Sequence, residues 1–223
     1  MDLMRETPDN HFDLAIVDPP YGIGWDREYE VMSAGVRKDG TKRKMATWNN
    51  PKPKKYKRGQ WDNAAPPPEY FEELRRVSKK QIVWGGNYFT EHLPPSGGWV
   101  TWEKGVPDGM SLSQCEMAWN NCLNSVRHIK LLWAGYKKCE ESQRMHPTQK
   151  PVKLYNWLLE NYAKPGQRIL DTHMGSGSIA IACHYFGAYL TATEIDGDYF
   201  KAACERIENE TRQMDLFQEN SSC

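Results

Sequence analysis

The sequence predicts an α/β fold, with a mostly parallel sheet and helices on both faces. Three observations lead there. Apolar runs of strand length recur along the chain, and in its second half they alternate with helical periodicities. One strand, Arg168–Asp171, runs into a Gly-rich loop that enters a helix. Another stops at an acid and two prolines, at the kind of strand end where open α/β sheets bind their ligands. A chain of 223 residues is long enough to bury a core and suits a single domain.

The elements follow in order. Residues 1–10, with Leu3, Met4 and the turn Pro8-Asp9-Asn10, read as the end of a helix entering the first strand. That strand, Phe12 to Val17, ends at Asp18-Pro19-Pro20-Tyr21. Neither proline can donate to a ladder, both fix φ, and the residue before a proline is pushed to extended backbone. The corner is therefore stiff, and it groups an acid, unclaimed carbonyls and an aromatic face. Gly22 to Asn63 lacks periodicity and exceeds an ordinary connection, which predicts a functional loop. Tyr70, Phe71, Leu74 and Val77 predict a helix over Pro68–Ser78, and Gln81–Trp84 a strand leading to Gly85-Gly86. Gly97–Trp102 is the next strand, with Glu116–Trp119 and Val126–Trp133 as a closing antiparallel pair. Pro151 suits a first helical position, and Val152, Tyr155, Leu158, Leu159 and Tyr162 make that helix's apolar face. After Asp171 come the loop Thr172–Ser178, a helix to Phe186 and a strand from Tyr189 that ends at Glu194. A final helix from about Asp198 to Arg212 precedes a flexible tail, 213–223.

Charge is balanced at 29 basic and 29 acidic residues, so it names no partner by itself. The balance hides an asymmetry: Arg37 to Arg58 holds ten Lys/Arg against one acid, Asp39. Lys42, Arg43, Lys44, Lys54, Lys55, Lys57 and Arg58 interleave there with Trp48, Tyr56 and Trp61. That mixture suits phosphate neutralisation with base stacking, and predicts nucleic-acid contact. No apolar run reaches the roughly 20 residues of a membrane span, and the N-terminus lacks the basic start and apolar core of a signal peptide. The six cysteines show no Cys-x-x-Cys spacing, which predicts reduced thiols in a cytoplasmic protein and no metal site.

Asp171 with Gly175-x-Gly177 has the parts of a nucleoside site, although the dinucleotide spacing fails because position 180 is Ala. Glycines admit a ligand to the backbone, and Glu194 ends the next strand where an acid can hold ribose hydroxyls. Together with Asp18-Pro19-Pro20-Tyr21 and His146-Pro147-Thr148-Gln149-Lys150-Pro151, the set resembles the β-class DNA amino-methyltransferases, with the catalytic motif ahead of the cofactor motifs. The resemblance covers most of residues 12–207. It implies a Rossmann-like S-adenosylmethionine-dependent methyltransferase fold with circularly permuted motif order, as a single domain over 1–212. It implies further that Asp171, Gly175, Ser176 and Gly177 line the cofactor and that Glu194 holds its ribose. His146, Thr148 and Lys150 would close over it. Asp18 and the Pro19 carbonyl would accept from the target amine, and Tyr21, after Pro20, would stack on the flipped base.

Asp in the first motif position favours N6 of adenine, with N4 of cytosine the alternative. RNA as substrate and a non-catalytic nucleic-acid-binding relic are the other readings. The setting implied is a bacterial or phage-infected cell, as in restriction–modification, and a homodimer is a possible assembly. Two departures are expected. The strand that usually precedes Asp13–Val17 and supplies an acid is shortened, with Asp2 in its place. Only Ala134–Met145 stands where a target-recognition domain is usual. The tail segment Gln213-Met214-Asp215-Leu216-Phe217 resembles the pentapeptide by which bacterial replication proteins bind the sliding clamp.

Overall fold

The computed structural model describes residues 1–24, 62–108, 113–134, 137–138, 146 and 148–218. Residues 1–19 and 68–223 form one compact unit, and 20–67 a second. In the first, the strands are β1 (Leu14–Val17), β2 (Gln81–Trp84), β3 (Gly98–Glu103), β4 (Cys115–Asn120) and β5 (Val126–Lys130). They continue as β6 (Trp133–Ala134), β7 (Lys137–Lys138), β8 (Arg168–Asp171) and β9 (Tyr189–Ala192). The helices are α1 (Asp2–Glu6), α2 (Pro68–Val77), α3 (Val152–Tyr162), α4 (Ser178–Phe186) and α5 (Gly197–Gln218).

The main sheet runs β5-β3-β4-β2-β1-β8-β9, and β6 and β7 form a separate ribbon. Pairings β1–β2, β1–β8, β8–β9 and β3–β5 are parallel, while β4 runs antiparallel to both β2 and β3. Every residue of β1 and β2 is buried, as strands covered on both faces require. Leu14, Ile16, Ile82 and Trp84 join Leu154 and Leu158 of α3 and Ile179 and Ala182 of α4 in one core cluster. Residues of opposite parity, Ala15, Val17 and Val83, are equally buried. The buried Tyr70, Phe71, Leu74 and Val77 of α2 stand outside that cluster and serve the other face.

From β1 the chain moves through α2 to β2 on one side; from β8 it moves through α4 to β9 on the other. The carboxyl ends of β1 and β8 therefore flank a topological switch point, the position at which open α/β sheets bind their ligands. At the amino ends, Asp13 accepts from Lys79 Nζ at 2.7 Å and from Arg168 N at 2.9 Å, which ties β1 to both flanking segments.

Four sequence expectations change. Val126–Lys130 does not pair with β4; it lies parallel to β3 at the sheet edge, since β4 spends both its ladders on β2 and β3. Pro151 is the N-cap residue of α3, and the helix proper begins at Val152. Backbone of α5 stays helical to Gln218, so Gln213–Phe217 lie in a helix rather than in a flexible tail. Asp2 sits on α1, which Arg76 holds through the carbonyls of Met4 at 2.7 Å and Thr7 at 2.9 Å. Arg76 is at the end of α2 remote from Tyr70, so Asp2 stands away from the β1 and β8 carboxyl ends and forms only an exposed pair with Arg5. Most of the short Ala134–Met145 link lies outside the described residues, as do all seven expected DNA-contacting cations.

Gly86 opens a 3-10 turn directly after β2, where a Cβ would stand 2.5 Å from Trp119 Cβ and 2.9 Å from Trp119 N. Backbone cannot step aside cheaply there, so Gly86→Ala is expected to destabilise the fold by about 1–3 kcal/mol. Urea unfolding should show a lower midpoint at unchanged slope. A wild-type midpoint would contradict the packing described.

Candidate active site

Asp18 leaves the carboxyl end of β1 and Asp171 ends β8, and Ala15 pairs with Leu170 between them. The two turns thus rise side by side. Asp171 is buried, at 1% exposure, and receives the N–H of His173 at 2.9 Å. Burial pushes its carboxyl up to about 7; the His173 N–H opposes this, and the charges of Asp18 and Glu194 add to it. Thr172 Oγ1 lies 2.7 Å from the Tyr70 hydroxyl and 2.9 Å from His173 Nδ1, which fastens the loop to α2. Burial lowers the His173 imidazole to about 4, so the ring is neutral at physiological pH.

Gly175 and Gly177 both take positive φ, +54° and +74°, and this folds the loop back on itself before α4. Glu194 closes it from the next strand. One carboxylate oxygen accepts from Gly175 N at 2.9 Å and the other from Asp196 N at 3.0 Å. Ser176 is buried, and its carbonyl accepts from Arg206 of α5 at 3.0 Å. Beside Glu194, Ile195 stands 97% exposed.

The turn at 146–150 meets this edge and the β1 corner at once. His146 packs edge-on against Tyr199 at 4.5 Å, and Thr148 Oγ1 lies 2.9 Å from His146 Nδ1. Gln149 O accepts from Trp133 Nε1 at 2.9 Å. Lys150 does not turn toward the glycine loop. Its ammonium donates to Asp18 Oδ2, lies 3.4 Å from Glu116 Oε2, and sits 5.2 Å over the Trp84 ring. Burial opposes that ammonium, but the charges of Asp18 and Glu116 outweigh it, so Lys150 titrates above its ordinary value. Burial likewise opposes the Glu116 carboxylate, and Lys150 and Lys104 hold it below its ordinary range.

The structure thus brings Asp18, Lys150, Asp171, Gly175, Ser176, Gly177, Glu194, His146 and Thr148 to one edge of the sheet. Pro19 is buried behind Asp18, while Pro20 and Tyr21 begin the second unit, each half-buried. In that unit Asp62 accepts from Gly22 N at 2.9 Å through its side chain and from Gly24 N at 3.0 Å through its carbonyl, closing the neck of the 22–63 segment. Sequence reasoning missed Glu116, Tyr70 and Ile195. Tyr70 and Glu116 looked like parts of a helix face and a core strand, and no spacing links either to its partner. Ile195 directly follows the acid in the turn after β9, and that position was the available signal.

Residues 100–205 match the DNA methylase family model of N6- and N4-directed enzymes. Over this stretch, a little under half of its length, the chain is similar to the N6-adenine/N4-cytosine DNA amino-methyltransferases. It is 33% identical over 90 residues to the Type II methyltransferase M2.DpnII of Streptococcus pneumoniae, covering 40% of this chain and 34% of that one. It is 30% identical over 81 residues to M.HpaI of Haemophilus parainfluenzae, covering 36% and 26%. The match therefore spans about a third or less of these relatives' length. The fold is similar to that of the cytosine-N4-specific PvuII DNA methyltransferase, with a TM-score of 0.53, 12% identity, and 95% and 88% of the two chains covered. Among the described residues no group of side chains could hold a metal ion, and no helix is long and apolar enough to cross a membrane.

Between about pH 4 and pH 7 the folded chain keeps a proton on Asp171 that the unfolded chain has lost, so this group makes stability fall as pH rises across that window. Above it the contribution is constant. Asp171→Asn removes the slope, and its stability relative to wild type should improve by roughly 1.4 kcal/mol per pH unit crossed, at most. Urea melts of both proteins at pH 5 and pH 7 test this. A difference independent of pH would contradict it.

Proposed function

We propose that the chain is an S-adenosylmethionine-dependent DNA methyltransferase acting on the N6 amine of an adenine turned out of the helix. The observation that carries the reading is the adjacency of the Asp18 turn and the Asp171–Gly177 loop at the switch point. An amine accepted by the first faces whatever the second holds.

The residues present fit that cofactor. Glu194 offers carboxylate lone pairs to ribose hydroxyls while two backbone N–H groups keep it in place. Ile195 offers an apolar surface for an adenine ring. A cationic ligand near the buried Asp171 would favour its ionised form, which burial now disfavours. When bound, S-adenosylmethionine supplies a methyl group on a sulfonium, ready for in-line displacement.

The protein's own part is positioning and electrostatics. The exocyclic amine is a poor nucleophile because its lone pair is conjugated into the ring. Acceptance of its N–H bonds by Asp18 and the Pro19 carbonyl draws the nitrogen toward tetrahedral geometry and opposes the positive charge that develops on attack. A carboxylate has about four acceptor positions, so Asp18 can serve an ammonium and an amine together. Once the methyl has moved, the nitrogen sheds a proton, and Asp18 is the nearest base to take it. Tyr21, three residues along the chain, supplies a stacking face, and the basic 37–58 segment supplies phosphate contacts. Asp rather than Ser at position 18 supports adenine over cytosine.

Tritium transfer from labelled cofactor to unmethylated duplex DNA, followed by nucleoside digestion, tests the reading. Label is expected in N6-methyladenine, and Asp18→Ala should lower the rate on the order of a hundredfold or more. Label in N4-methylcytosine would overturn the choice of base. No label in DNA would overturn the activity.

A further inference from the structure

We infer that Glu116 is a positioning residue for this methyl transfer: it holds the Lys150 ammonium against Asp18, while Lys104 anchors the Glu116 carboxylate from behind. The inference rests on the reading of Asp18 as the acceptor of the target amine. Four charges of alternating sign run in a line from the end of β3 to the end of β1. Lys104 Nζ lies 2.9 Å from Glu116 Oε1, Lys150 Nζ lies 3.4 Å from Glu116 Oε2, and Lys150 Nζ donates to Asp18 Oδ2. Each oxygen of Glu116 meets a different lysine, so the carboxylate is held at both ends.

Glu116 lies half-buried near the start of β4. It has the parity of Ala118 on β4, and Ala118 belongs to the apolar cluster with Trp84 and Trp102. An acid on the core-facing side of a strand needs a buried partner, and Lys150, whose side chain is 4% exposed, is that partner. The dependence runs the other way too. A lysine reaches its target on a flexible four-carbon stem and does not by itself define a direction. The Trp84 face below and the Glu116 carboxylate beside it restrict the ammonium to the place where it meets Asp18. Pro19 stiffens the backbone of that acid, and Lys150 holds its Oδ2.

The remaining titratable groups around this line are Asp171 from β8, which feels both Asp18 and Lys150, and the hydroxyls of Tyr70 and Tyr155. Burial, with the nearby carboxylates adding, raises both tyrosines above their ordinary value, so they stay neutral as alkaline pH is approached. Glu194 reaches the line only through Asp171. Lys150 and Lys104 both lose an attractive charge when Glu116 is neutralised, and of the two Lys150 is the one that meets Asp18.

The test compares wild type, Glu116→Gln and Glu116→Asp in steady-state methyl transfer between pH 6 and the alkaline limit of duplex DNA. In Glu116→Gln, kcat should fall on the order of tenfold or more while KM for the cofactor holds. The alkaline limb of the profile should move to lower pH, because Lys150 keeps one carboxylate instead of two. Glu116→Asp should restore part of kcat and return the limb toward wild type. Lysine-selective NMR should show the Lys150 resonance titrating at lower pH in Glu116→Gln. Wild-type kcat in Glu116→Gln would overturn the inference alone, as would a loss with an unmoved limb and an unmoved Lys150 titration. Failure of the wild type to transfer methyl groups would overturn the functional reading and this inference with it.

Discussion

Parallel pairing of β1 with β8 is the constraint on which the rest of the site depends. Two strands far apart in the chain run side by side, and their connections leave in opposite directions. Their carboxyl ends therefore flank a topological switch point, the place where open α/β sheets bind ligands. Each strand then ends in a turn with little conformational choice. Two prolines stiffen the first, and two glycines at positive φ, closed by Glu194, set the second.

Charge determines what that site can do. Asp18, Asp171, Glu194 and Glu116 bring four acids to one edge of the sheet, and the low dielectric there makes each expensive unless it is answered. The answers differ. Glu194 is met by backbone N–H groups, Asp18 and Glu116 by Lys150, and Asp171 by one N–H and a raised pKa. The group left least satisfied is the one beside the glycine loop, where a cationic ligand would compensate it. Stability is given up where binding can restore it.

Much of this was legible in the residues. Strand runs, the proline corner and the glycine loop depend on local chemistry, so they were found close to their positions, as was the helix from 152. Pairing partners were not. Glu116–Trp119 and Val126–Lys130 read as a hairpin because adjacent strands usually pair, but β3 takes the place between them. The end of α5 runs past Arg212 because none of Gln213–Gln218 is a Gly or Pro breaker that would stop a helix. Lys150 was placed over the cofactor by the company it keeps in its motif, whereas its reach to Asp18 and Glu116 depends on sequence separations that no local pattern encodes.

The central claim is that the turns after β8 and β9 form a nucleoside site separate from the amine acceptor on β1. Calorimetric titration of S-adenosylhomocysteine into wild type, Glu194→Gln and Asp18→Asn tests it most directly. Wild type should bind, Glu194→Gln should bind about tenfold more weakly or worse, a loss of some 1.4 kcal/mol, and Asp18→Asn should match wild type. Equal affinity of wild type and Glu194→Gln, or no binding by wild type, would contradict the account.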